Sequence, residues 1–385
     1  MKAICVALLS PLVLAACAAG GEHAATRVDS AGVEIVTSSA EDLPAPWSLV
    51  EVGKFGGELG DTILVSSAER LTVIAGSDRF YALDPRASRV VVIDTLGMML
   101  RAFGRAGDGP GELRYPAALS VLADTVTVLD LNRGRLVFYS SDGETLGDEP
   151  IPEAHNRSFR VGYFGHELVM DRRSQDSTGV ITEVLVVARG DSGVLERHWS
   201  PTPGSAELTA CGMRVVMRAM PLFAPRLQWS SSGDWLAVVS SADYDIMVHH
   251  VGSAPRRVRR AIQARKASEE LARQYIGESW KLGIDNRDCD VAPDEVMEQM
   301  GVADLVPAIQ DVMIDADGWL RIQRFVVGDE PVLVDIFNPD GEYVGTFTGA
   351  NPMPAAAFGD YVATATEDSL GFPTIVVSRI DGRDS

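Results

Sequence analysis

The chain has 385 residues, with 34 basic and 54 acidic side chains and a net charge of −20. A surface of that sign repels phosphate backbones, which excludes nucleic acid as a natural partner. Hydrophobic residues make up 46% of the composition, enough for a substantial core, and past the N-terminal stretch no apolar run is long enough to span a bilayer.

The N-terminal stretch "MKAICVALLSPLVLAAC" has one lysine, a short apolar run and small residues ending at Cys17. It reads as a secretory leader rather than a spanning helix. Leu14-Ala15-Ala16-Cys17 resembles the bacterial lipobox. The resemblance implies a signal peptide over 1–16 and Cys17 as the first mature residue, carrying a diacylglycerol and an amide-linked palmitate-type chain. Ala18 in place of an aspartate implies the outer membrane. An ordinary cleaved leader, with Cys17 incidental, is the alternative. Residues 17–32, rich in Gly and Ala, read as a flexible tether. The lipid is then the only membrane contact.

The body, 33–385, carries an internal repeat. "VIDTLGMMLRAF" (Val92 to Phe103), "FYSSDGETLGDE" (Phe138 to Glu149) and "IFNPDGEYVGTF" (Ile336 to Phe347) align without gaps. Gly97, Gly143 and Gly341 share one position, where a hairpin needs positive φ. A second set of hairpins turns at Ala123-Asp124, Ser232-Gly233 and Asp317-Gly318. Together they make a meander of four short strands, the unit of an all-β propeller. The expected blades are Leu64 to Phe103, Ala117 to Ile151, Phe159 to Trp199, Arg226 to Ile262 and Ile309 to Phe347. A sixth combines "DYVATATED" and "FPTIVVSRI" with N-terminal strands "GVEIVTSS" and "WSLVEVG", closing the ring.

Between the first two blades lies "FGRAGDGPGELRYP". It resembles the linker of NHL-type six-bladed propellers, particularly exported bacterial lipoproteins, through Gly104, Gly107, Gly109, Pro110, Gly111, Glu112, Leu113 and Pro116. "KFGGELGDTIL" (Lys54 to Leu64) is a degenerate second copy. Glycine permits the sharp path from an outer strand to the next inner one, and Glu112 is placed to accept backbone N–H groups. A phosphate cradle is the competing reading, but it needs a following helix and usually a lysine.

Residues 264–307 depart from the repeat. "SEELARQYIGESW" opens with Ser268 as N-cap and acidic residues in its first turn, with Leu271, Tyr275, Ile276 and Trp280 along one face. "APDEVMEQMG" starts at Pro293 and stops at Gly301. Two short helices are expected here, joined by an acidic loop "DNRDCD", either as a plug on the ring or as a lid over its channel. With Cys5 in the leader and Cys17 lipidated, Cys211 and Cys289 remain for one disulfide; two separate buried thiols are the alternative. The basic run from Arg256 to Lys266 reads as a solvated strand edge, or else as a docking patch for an acidic partner.

No catalytic motif is present. His249 and His250 are neighbours on a strand and point to opposite faces, so they cannot form one ligand pair. His166-Glu167 falls at a hairpin tip. Asp84, Asp94, Asp130 and Asp335 end strands, where a channel could gather carboxylates for Ca²⁺; otherwise no cofactor is expected. Asn156-Arg157-Ser158 matches a glycosylation sequon with no expected role. The leading expectation is a monomeric, lipid-anchored propeller that binds a protein, peptide or glycan of the envelope. The alternatives are a metal-dependent lactonase-like hydrolase or lyase in the channel, and a purely structural envelope component.

Overall fold

The computed structural model describes residues 25–57, 64–151, 160–175, 179–188, 191–200, 202–284, 287–349 and 353–383. Blade one is Thr72–Ala75, Phe80–Asp84, Arg89–Ile93 and Met99–Phe103. Blade two is Pro116–Leu122, Thr125–Asp130, Arg135–Ser140 and Thr145–Pro150. Blade three runs from Val161–Phe164 through Glu167–Gln175 and Val180–Ala188 to Asp191–Ser200. Blade four is Leu227–Ser232, Trp235–Ser240, Asp245–His250 and Arg256–Arg260; blade five is Ile309–Ile314, Leu320–Arg324, Val332–Phe337 and Tyr343–Gly349. Within each of these blades, successive strands pair antiparallel. The molecule is a six-bladed β-propeller.

The repeated hairpins share one geometry. Gly97, Gly143 and Gly341 have φ of 73°, 87° and 76°. Beside each turn the register slips by one residue, between Val92 and Ile93, Phe138 and Tyr139, and Ile336 and Phe337. Each turn is thus a glycine hairpin with a bulge, which bends the outer strand and adds twist.

Blade six takes its inner strand from Ala356–Phe358, followed by Tyr361–Glu367 and Pro373–Asp381, and its outer strand from Ser48–Gly56. "WSLVEVG" therefore closes the ring, but "GVEIVTSS" does not. Val33–Ser38 pairs in parallel with Arg256–Arg260 on the outer edge of blade four, and Thr26–Ser30 pairs with it in turn. The backbone register over five residues and the burial of Val36 hold it there, and charge adds to this: Glu34 accepts from Arg256 at 2.7 Å and Arg27 at 2.7 Å, and Arg27 reaches Glu342 at 2.9 Å. Thr26–Ser30 is thus an ordered strand within the stretch expected to be tether. From blade four the chain crosses blade five, where Ala45 N–H donates to Thr346 O, and then enters blade six. The N-terminal segment is a belt over three blades.

Blade faces pack on one another through alternating apolar residues. Phe80, Val91 and Ile93 of blade one meet Ala363, Ile375 and Val377 of blade six, all buried. Ile246 and Val258 of blade four meet Ile322 and Phe337 of blade five in the same way.

The two helices are Glu269–Ile276 and Pro293–Met300. Ser268 Oγ accepts from Leu271 N–H at 3.2 Å, and Gly277 with φ 73° ends the first helix. Trp280 accordingly lies beyond that helix, at the start of Trp280–Ile284, which pairs with Arg287–Val291. Cys289 sits on a strand and not in an acidic loop; residues 285–286 lie outside the described residues. A further hairpin, Gly204–Ala210 with Met213–Ala219, precedes blade four. Cys211 at its tip is disulfide-bonded to Cys289. Thr209 N–H donates to Glu295 at 2.6 Å, so the second helix docks on this hairpin. Leu208, Ile276, Val291 and Val296 form a small separate core there, and Arg265–Lys266 pairs with Leu305–Val306 at its stem.

Candidate functional site

The glycine-rich linker closes on its own carboxylate. Glu112 Oε2 accepts Gly109 N–H at 2.7 Å, and its other oxygen takes Arg105 Nε at 2.7 Å. A Cβ on Gly107 would lie 2.1 Å from Glu112 Oε2, so the carboxylate fills the concavity that an external anion would need. Arg105–Ala106 pairs in parallel with Glu112–Leu113 across the loop, and Leu113 is fully buried. Gly104 and Gly111 have φ of 84° and 70°, and Gly111 O accepts Tyr139 O–H at 2.7 Å. Burial pushes the Tyr139 phenol up to about 12, so it remains a donor at physiological pH. Pro116 is buried at the head of blade two's inner strand. This is a structural corner and not a phosphate cradle. Cys17, Asn156 and residues 58–63 of the second linker copy lie outside the described residues.

The aspartates at strand ends serve the backbone. Asp84 accepts Val65 N–H at 2.9 Å, Ser66 N–H at 3.0 Å and Ser66 O–H at 2.6 Å. Asp130 does the same for Arg114 N–H at 2.7 Å and Tyr115 N–H at 3.0 Å. Each holds the segment leading to its own blade's inner strand. Asp94 accepts Leu96 and Met98 N–H within its turn. Asp335 accepts Tyr244 O–H at 2.5 Å, Arg324 Nη2 at 2.7 Å and Thr346 O–H at 2.6 Å. These carboxylates are committed to the protein's own donors, and among the described residues no three His, Cys, Asp or Glu side chains group as metal ligands. Asp84, Asp94, Asp130 and Asp335 are therefore not gathered as a Ca²⁺ ligand set.

The basic run is not a solvated edge throughout. Arg260 is buried against Asp335 and stacks 3.8 Å above the Tyr343 ring, while Arg259 pairs with Asp245 at 2.6 Å. His249 approaches Glu196 at 3.2 Å and His250 packs on Trp235, on opposite faces. His166 lies in the turn after Val161–Phe164.

A cleft of about 520 Å³ opens between the disulfide-clipped insertion, the inner strands of blades four and five, and Arg160 at the entry to blade three. Its outer wall is aromatic: Phe223, Tyr275 and Phe325 stand 5.2 to 5.7 Å apart, with Trp280 6.3 Å from Tyr275. Its floor is polar, with Gln228, Gln310, Gln323, Asp311 and Arg160. Arg160 donates to Trp229 O and Gln228 Oε1, each at 2.7 Å, which fixes both side chains. Burial holds the Asp311 carboxyl above the usual aspartate range, opposed by the Arg160 charge and by Val312 N–H at 2.9 Å. Such a carboxyl in a cleft marks a functional candidate. A second hollow of about 430 Å³ shares Arg160, Met220, Arg226 and Gln228 with the first and adds Asp171, Arg173 and His198. Burial lowers the His198 imidazole below its usual range.

The sequence placed Tyr275 and Trp280 on the apolar side of the insertion, but gave no sign of Arg160, Gln228 and Asp311. Nor was the hairpin before blade four among the expected elements. "ELTACGMRVVM" carried that signal: alternating residues flank Cys211-Gly212, whose φ values of 49° and 73° make a two-residue turn.

No family model and no curated protein matches the chain. Solved structures do. A Bacteroides fragilis protein described as exported is similar at 12% identity, over 90% of this chain and 99% of that one, with a TM-score of 0.51. A DUF4221-family protein from Bacteroides vulgatus aligns at 11% identity, over 87% and 98%, with a TM-score of 0.43. Regucalcin from Agrobacterium tumefaciens, a calcium-binding protein, aligns at 12%, over 86% and 96%, with a TM-score of 0.39. The first of these supports the propeller fold and, at that identity, nothing finer.

Proposed function

We propose that this chain is a ligand-binding propeller of the bacterial cell envelope, of the NHL type, moored to the outer membrane by lipid on Cys17. The observation that carries the binding reading is the 520 Å³ cleft, with an aromatic wall facing a floor of side-chain amides and Arg160. Sites of this shape orient a ligand by a few polar groups and hold it by apolar contact. The address is supported by the lipobox-like Leu14-Ala15-Ala16-Cys17, by the linker from Gly104 to Pro116, and by the exported Bacteroides fragilis neighbour. No helix among the described residues is long and apolar enough to cross a membrane.

Two experiments test this. Cys17→Ala should move the protein from the membrane fraction to the soluble one; retention in high salt counts against the anchor. Immobilised protein should retain an envelope component that the cleft variants Trp280→Ala and Gln228→Ala do not. Equal retention places binding elsewhere.

A second reading, a lyase or hydrolase working in the same cleft, is favoured by Asp311 alone, because a carboxyl with a raised pKa suits proton transfer. Turnover abolished by Asp311→Asn with ligand binding intact would establish it.

A further inference from the structure

We infer that the cleft recognises an acidic oligosaccharide, a chain of pyranose rings bearing carboxylates. This rests on the binding reading above. The first observation is one of charge. The whole chain carries −20, yet the joined hollows are lined by Arg160, Arg173, Arg218 and Arg226 against Asp171 and Asp311. A local excess of guanidinium in an acidic protein focuses the field on an anion. Arg226 is exposed, lines both hollows, and among the described residues its guanidinium has no hydrogen bond or ion pair. The planar fork of such a side chain pairs a carboxylate through two parallel bonds.

The second observation is the shape of the wall. Tyr275 is 38% exposed and Trp280 half-buried, so both side chains keep part of their surface accessible from the cleft they line. In the same lining Gln310 is exposed and Gln323 half-buried. A pyranose ring has one C–H face for an aromatic plane and hydroxyls around its rim for amides. An acidic peptide would satisfy the arginines, and its main chain the amides, but a run of Asp and Glu side chains has no C–H face to set against the rings.

The test is calorimetry on detergent-solubilised full-length protein, with Trp fluorescence read in parallel. The probes are tetra-galacturonate, tetra-mannuronate, neutral maltotetraose and tetraglutamate. At least one uronate tetramer should bind, perturb the fluorescence and weaken as salt rises. Arg226→Gln, an exposed change that spares the fold, should weaken it by about tenfold, the scale of one charge-assisted pair. Gln310→Ala should weaken it less. Maltotetraose or tetraglutamate binding as tightly as the uronates, and lost in Trp280→Ala, overturns the acidic-glycan inference while leaving the cleft as the binding site. No uronate binding at all also overturns the inference, and envelope capture on the cleft variants then decides the broader reading. Uronate binding indifferent to both Arg226→Gln and Trp280→Ala overturns both.

Discussion

Arg260 of blade four and Asp335 of blade five face each other at 3.0 Å, with both side chains fully shielded from solvent. The Nη1–H of Arg260 does not point along that line, so the contact is an ion pair without a hydrogen bond. The same guanidinium donates to Ser39 O at 3.0 Å and Glu41 O at 2.6 Å, which fastens the N-terminal belt to the blade four–five interface. Without Arg260, Asp335 keeps Arg324 as its counter-ion at 2.7 Å, but the Ser39 and Glu41 carbonyls lose their donor. Arg260→Ala is therefore expected to destabilise by about 2–4 kcal/mol in urea unfolding, mainly from those unsatisfied carbonyls and the lost packing on Tyr343. A loss below about 1 kcal/mol, the scale of an exposed pair, would show that the belt does not depend on it.

Gly111 tests the linker. Its φ is 70°, and an added Cβ would lie 2.0 Å from Thr145 Oγ1 and 3.1 Å from Thr145 Cβ. Gly111→Val combines a left-handed backbone, costing about 1–2 kcal/mol, with overpacking of about 1–3 kcal/mol. Ala117→Val, at the bulge where blade two begins, should cost less than about 1 kcal/mol. Equal melting temperatures for the two variants would refute the special backbone at Gly111.

The propeller was legible in the sequence because its units are local. Asp142-Gly143 and Asp340-Gly341 specify a positive-φ turn by themselves, and the bulge beside each follows from the same few residues. The destination of Val33–Ser38 was not legible. Alternation makes it a strand, but its partner is remote in the chain: Glu34 and Arg256, which meet across the pair, are 222 residues apart. The same limit hid the cleft. Arg160, Gln228, Asp311 and Tyr275 share no motif spacing and meet only once the ring has closed. Asp84 and Asp130 show a subtler gap: their place at strand ends was readable, but whether a carboxylate there meets a cation or an N–H depends on the loop entering its blade.

The Cys211–Cys289 bond spans 78 residues. Closing a loop of that length is worth about 4–5 kcal/mol in the chain-entropy account. The small core of Leu208, Ile276, Val291 and Val296 is separate from the blade interfaces, so its loss should be local. Cys211→Ser with Cys289→Ser is expected to raise hydrogen exchange across 204–219 and 265–306 and to weaken ligand binding in the cleft. Amides of blades one and two should keep their protection. Exchange rising evenly around the ring would mean that the insertion and the propeller fold as one unit.

Asp311 links the cleft to pH. Its folded-state pKa lies above the ordinary aspartate value of 3.8, and burial is the main cause. For a group raised in this way, the favourable balance is present below the unfolded value and is lost as pH rises through the folded one. Above the unfolded value the buried carboxyl therefore works against the fold. Asp311→Asn, similar in shape and uncharged, is expected to raise the melting temperature near pH 7, and the gain should vanish below 3.8, where the native side chain is also neutral. Thermal melts of both proteins across that range measure this. A variant less stable at neutral pH would show that the ionised form is held by Arg160 more strongly than burial opposes it. A gain would identify a position where the sequence keeps an acid at the expense of stability, as binding and catalytic sites do.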